Sequence, residues 1–123
     1  MTPFGKRVRE MRAARGLALK SMAHAIGVSP AYLSALEHGR RGAPTWFLVQ
    51  RIITYFNVIW DDAEELEKLA HLSHPRITVD TSGMHPSVTE AANRFAQMAA
   101  GLDEADAAEI IAILQRKGRG GSA

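Results

Sequence analysis

Three groups of side chains in this 123-residue chain are chemically interesting. His71, His74 and His85 come late in the sequence. Their spacing matches no usual zinc arrangement and Cys is absent, so no metal site is expected. Asp61, Asp62, Glu64, Glu65 and Glu67 crowd one short stretch. They read as a solvated helix face rather than the facing carboxylates of acid–base catalysis. Neither a nucleophile elbow nor a phosphate-cradling glycine loop is present. The expectation is no catalytic residue, no cofactor and no enzyme. The third group is basic: Lys6, Arg7, Arg9, Arg12, Arg15, Lys20, Arg40 and Arg41, all in the first half.

That third group dominates the charge balance. The net +2 conceals an asymmetry. Residues 1–60 carry nine Lys/Arg against Glu10 and Glu37, a net +7, and residues 61–123 carry a net −5. A basic half followed by an acidic one suggests a polyanion-binding unit joined to a unit with another task. The opening residues hold no apolar signal segment and no stretch suits a membrane span. The absence of Cys fits a reducing cytosol. A cytoplasmic protein is expected, with no membrane partner.

The elements that must position the basic residues are helical. Thr2 caps a first helix with Pro3 at its first position, and Phe4, Val8 and Met11 recur at helical spacing. Gly16 ends it. A second helix is predicted over about 19–26, with Met22, Ala23 and Ile26 inward. Gly27 suits a left-handed turn. Ser29 and Pro30 then start a third helix that Gly39 stops. Thr45 caps a fourth helix whose buried stripe is read as Trp46, Val49, Ile52, Ile53 and Phe56. Asn57 takes the left-handed position after it, and Asp61 opens a fifth helix. Residues 73–86 read as a linker in which "RITVD" has strand-like alternation. Two more helices follow at about 87–100 and 103–117. Asp103 caps the last, Gly118 ends it, and 118–123 read as a disordered tail.

Residues 19–38, "LKSMAHAIGVSPAYLSALEH", put two helices across a tight glycine turn. Met22, Ile26, Val28, Leu33 and Leu36 form an apolar seam, and Ala23 is small where the helices approach. This is the helix-turn-helix arrangement, which frees its second helix to enter a DNA major groove. The small residue Ala23, Gly27 in "GVS", the ending "LSALEHG" and Pro44 before the fourth helix resemble the Cro/CI-type helix-turn-helix family, also called the XRE family. The resemblance covers about residues 4–70. It implies an all-α protein: a five-helix lambda-repressor-like domain over 1–72, the linker, and a C-terminal helical pair over 87–117. Ala18 departs from the pattern, standing where a Ser or Thr usually caps the second helix. Leu19 departs too, replacing a Gln that often touches phosphate.

The resemblance places the base-reading positions at Ser29, Pro30, Ala31, Tyr32 and Ala35. None is Arg, Lys, Asn or Gln, so bidentate base contacts are absent from this face. Ala31 and Ala35 suit thymine methyl groups, and Tyr32 offers a ring and a hydroxyl. Such a helix reads methyls, bound water and DNA shape. Phosphate contacts are expected from Arg40 and Arg41 first, then Lys6, Arg7 and Lys20, with Ser34 and His38 as hydroxyl and imidazole donors. Glu37 reads as a structural hydrogen-bonding residue.

The expected partner is double-stranded DNA. The implied role is a transcriptional regulator, a repressor on a two-fold operator, in a prokaryotic cytoplasm at the nucleoid or encoded by a phage. A homodimer follows from two-fold operators. Its candidate contacts are Phe95, Met98, Ile110, Ile111, Ile113 and Leu114, with Trp60. Phe47, Leu48, Ile59 and Trp60 extend the apolar surface beside the fourth helix, and either pack under the appendage or the fifth helix or join a dimer seam. The helical pair is too small for a generous core of its own, and pairing with its twin would bury both faces. An antitoxin whose C-terminal helices hold a protein partner, and an adaptor that does not bind DNA, remain open alternatives.

Overall fold

The computed structural model describes residues 1–120. Among them all regular structure is helical: α1 (Pro3–Ala14), α2 (Leu19–Ile26), α3 (Pro30–Glu37), α4 (Trp46–Phe56), α5 (Trp60–His71), α6 (Pro86–Met98) and α7 (Glu104–Gly120). A 3-10 turn, Ala99–Gly101, follows α6. The chain divides into two compact units, 1–77 and 78–123.

In the first unit local signals set most helix ends. The Thr2 hydroxyl accepts the Gly5 N–H at 3.0 Å, Ser29 that of Tyr32 at 3.0 Å, and Thr45 that of Leu48 at 3.2 Å. Each satisfies a donor that a helix start otherwise orphans. Ala18 gives α2 no side-chain cap, a loss of about 1 kcal/mol that packing must offset. Gly27 and Asn57 both take the left-handed conformation, at φ 79° and 53°.

The core joins all five helices: Phe4 and Val8 from α1; Met22, Ala23 and Ile26 from α2; Leu33 and Leu36 from α3; Leu48, Val49, Ile52 and Phe56 from α4; Leu66 and Ala70 from α5. Met11 and Ile53 are half-buried at its edge. Trp46 is a correction. It is 64% exposed, whereas Leu48 is buried. Leu48, Ile52 and Phe56 lie on one line at four-residue spacing, and 100° per residue turns Trp46 well away from it. α5 begins at Trp60, one residue before the expected Asp61, and Trp60 itself holds φ 53°. That is a left-handed backbone uncommon for a bulky side chain.

Two buried polar contacts tie the ends of the unit together. Ser73 is buried; its hydroxyl accepts the Phe4 N–H at 2.9 Å and donates to the Leu69 carbonyl at 2.6 Å. Arg12 and Glu37 meet inside the protein. Arg15 reaches across to the C-terminus of α4, donating to the Phe56 carbonyl with its guanidinium over the Phe56 ring.

The second unit is built differently. His85 caps α6, its Nδ1 accepting the Ser87 N–H at 3.0 Å, and Asp103 and Asp106 cap α7 reciprocally through each other's backbone N–H. The possible strand at 76–80 is not formed: the segment is non-helical and no ladder exists among the described residues. An isolated strand has no neighbour to supply its hydrogen bonds. Gly118 does not end α7, which continues to Gly120. Gly118 is not among the glycines with positive φ, so it makes no left-handed stop. Of the expected disordered tail, 118–120 are therefore helical and 121–123 lie outside the described residues. α6 and α7 make little contact with each other, and none of their described side chains is buried.

Candidate nucleic-acid interface

The turn between α2 and α3 carries the site. The Gly27 N–H donates to the His24 carbonyl at 3.2 Å and the Val28 N–H to the Ala23 carbonyl at 2.9 Å. These bonds close α2 with Gly27 in its left-handed state. Ala23 and Leu33 are wholly buried beneath the turn. The chain then turns into α3, whose buried residues are Leu33, Leu36 and Glu37. The opposite face is open. Ser29, Pro30, Ala31 and His38 are exposed, and Tyr32, Ser34 and Ala35 are half-buried. The candidate base-reading residues thus share the outward side of one short helix.

Hydrogen bonds already made limit what some of them can offer. The Ser29 oxygen is occupied by the Tyr32 N–H, which leaves its hydroxyl proton to donate outward. His38 Nδ1 donates to the Ser34 carbonyl at 2.9 Å, leaving Nε2 as the outward nitrogen.

Arg40 and Arg41 follow the end of α3 and are exposed. The Arg41 guanidinium lies 5.9 Å from the centre of the Tyr32 ring. That contact brings a phosphate candidate beside a base-reading candidate. Lys6 and Lys20 are exposed on α1 and α2. Arg7 keeps other company: it borders a groove with Val58, Asp62 and Leu66, on the α5 side of α1.

Two features escaped the sequence reading. The first turn of α4 borders α3, so that Thr45 and Phe47 line one shallow groove with Ser29 and Tyr32. Arg51, also on α4, donates from Nη1 to the Ile26 carbonyl at 3.4 Å, just before the turn glycine. It lines the grooves on both sides of the turn. Only the 100° step of α4 could have indicated that Phe47 and Arg51 share a side, and nothing local showed that this side faces the turn.

The rigid seat of α3 depends on α1. The Thr2 N–H donates to the Glu37 carbonyl at 3.1 Å, and Gly5 lies against the Glu37 backbone. Burial pushes the Glu37 carboxyl above its ordinary value, against the opposing pull of Arg12, Arg9 and His38.

An outward helix behind a glycine turn, with Arg40 and Arg41 exposed past its end, is the arrangement of the helix-turn-helix class of DNA-binding domains. Residues 3–66 match the family described as "Helix-turn-helix domain", and the chain belongs to that family. A relative in Bacillus subtilis (strain 168), named "Uncharacterized HTH-type transcriptional regulator RghRB", is 34% identical over 62 residues. The match spans 50% of this chain and 45% of the relative, so less than half of that protein is covered. No solved structure matches the chain at a significant level. Among the described residues no helix is long and apolar enough to cross a membrane.

Proposed function

We propose that this protein is a sequence-specific transcriptional regulator, a repressor of the Cro/CI type that binds a two-fold operator as a homodimer with α3 in the major groove. The observation that carries this reading is the open face of α3, with Ser29, Ala31, Tyr32 and Ala35 outward and Arg40 and Arg41 exposed at its end. The small side chains let the helix sit deep. Thymine methyls, bound water and groove shape supply discrimination, and the arginines supply affinity. Lys6, Lys20 and Ser34 add contacts to the sugar–phosphate chain. A neutral His38 ring, whose one proton goes from Nδ1 to the Ser34 carbonyl, has only an accepting Nε2 left to offer, and Arg7, beside Asp62, contributes least. The working place is a prokaryotic cytoplasm, at the nucleoid or on a phage genome.

Selection of bound fragments from a random duplex pool tests this directly. A palindromic consensus of two half-sites about one helical turn apart is expected. Recovery of no enriched sequence refutes specific reading. The second unit, with six Asp/Glu against four Lys/Arg over residues 78–123 and exposed apolar side chains on its helices, favours one other assignment, an antitoxin that holds a small basic protein. Stoichiometric co-purification of such a protein from the native host is the result that selects it.

A further inference from the structure

We propose that α7 is the dimer seam, pairing antiparallel with α7 of a second copy. The inference rests on the homodimeric regulator proposed above and names the surface that joins its halves. Charge runs in order along this helix. Glu104, Asp106 and Glu109 occupy its first part, and Arg116 and Lys117 its last. Ala107, Ile110, Ile111 and Leu114 lie between and recur at the three- and four-residue spacing of a helix–helix seam. Ala107 and Ile110 are half-buried, whereas Ile111 and Leu114 are 51% and 63% exposed. The same order of charge suits the helix's own dipole, but the dipole gives no reason for Ile111 and Leu114 to stand exposed.

The charge order selects the occupant. A two-fold axis crossing α7 near Ala112 sets Asp106 of one copy against Lys117 of the other along the edge of the stripe. It does so twice, because an isologous interface repeats every contact. At 100° per residue Glu109 and Arg116 lie on the far side of the helix and take no part. A parallel pair sets acids on acids and bases on bases. α7 is about 26 Å long at 1.5 Å per residue, which is enough for the whole stripe to be covered by its twin. α6 leaves α7 open: the two barely touch, and its own Val88, Phe95 and Met98 are exposed.

Sedimentation of the full chain over a concentration series reads the dimer constant. Asp106→Lys, or Lys117→Glu, is expected to weaken dimerisation about fivefold or more, because each reversal sets like charges together at both symmetric contacts. Both changes together restore it to within about threefold, because the two members of the pair are merely exchanged. Circular dichroism checks that each variant keeps its helices. The chain has no Cys, so single cysteines report orientation. Ile111→Cys, near the axis, links two copies on oxidation; Ala107→Cys does not, because its twin lies beyond disulfide reach. Linkage through Ala107→Cys overturns the antiparallel arrangement. Footprinting on the selected duplex separates the two ideas. A two-fold footprint from a dimer indifferent to the reversals refutes the α7 seam and leaves the regulator standing. Dimers broken by the reversals but silent on DNA refute the regulator and leave the seam. A monomeric chain removes both.

Discussion

Arg12 on α1 and Glu37 at the end of α3 meet at 3.4 Å, Nη2 to Oε1, with both residues buried. Arg12 Nη1 and Glu37 Oε2 have no other partner. The pair crosses between the first helix and the proposed reading helix, so it fixes where α3 sits. Its desolvation is expensive and only half compensated. Removing one partner, as in Arg12→Met, is expected to cost about 3–5 kcal/mol by stranding the other charge. Arg12→Met with Glu37→Leu should recover most of that. Urea unfolding of the two single variants and the double checks it, and strict additivity rules out a coupled pair.

The raised Glu37 carboxyl gives stability a definite slope with pH. In the window above its ordinary 4.5, the folded state holds a proton that the unfolded state has released. Its contribution is therefore complete below that value and is lost as pH rises through the folded one. The stability of the parent minus that of Glu37→Gln should fall as pH is raised from 4.5 toward neutrality. Denaturant midpoints at several pH values measure it. A rise over that range means Arg12 outweighs burial.

Gly5 meets Glu37 from the other side. A Cβ on Gly5 falls far inside van der Waals contact with the Glu37 carbonyl oxygen and Cα, which are backbone and cannot swing aside. Gly5→Ala is expected to destabilise by about 1–3 kcal/mol. Binding to the selected duplex should weaken as well, since α1 must move off α3. Thermal unfolding with a titration of labelled duplex tests both, and a variant as stable as the parent contradicts the close approach.

Ser73 should matter although it follows the last helix of its unit. Ser73→Ala leaves the buried Phe4 N–H without its acceptor, at a cost of about 1–3 kcal/mol. Ser73→Thr keeps the hydroxyl and should restore part of the loss. Chemical unfolding of both variants gives the comparison, and equal losses point to packing rather than the hydrogen bond.

Arg40→Ala with Arg41→Ala should weaken binding on every duplex alike. Two lost phosphate contacts lower the log–log salt slope by about 2. Tyr32→Ala should instead blur the preference between good and poor sites. A filter-binding salt series reads the first and competition between duplexes the second. An unchanged slope removes the arginine pair from the phosphate contacts.

Much of the first unit was legible because its signals are local. Thr2, Ser29 and Thr45 sit where a hydroxyl can reach an N–H three residues on, and Gly27 where φ must be positive. Spacing alone placed Met22, Ala23, Ile26, Leu33 and Leu36 inward. Trp46 was misplaced because hydrophobicity marks an apolar residue but not the angle from which neighbours arrive. The approach of Phe47 and Arg51 to the turn had no local signal. Arg12 carried no mark distinguishing it from the exposed arginines of α1, and only packing against Glu37 buries it. Gly118 reads as a stop by residue type, yet type permits a left-handed backbone without compelling it.

By itself the sequence determined the helix-turn-helix, since caps, a turn glycine and a 3.6-residue period depend only on near neighbours. It also determined the charge imbalance between the halves, which is a property of composition. Tertiary structure alone decided which arginine is buried, which side of α4 meets the turn, and that Ile111 and Leu114 of α7 stand exposed. Those outcomes depend on contacts between residues distant in the chain, where geometry rather than residue type sets who meets whom.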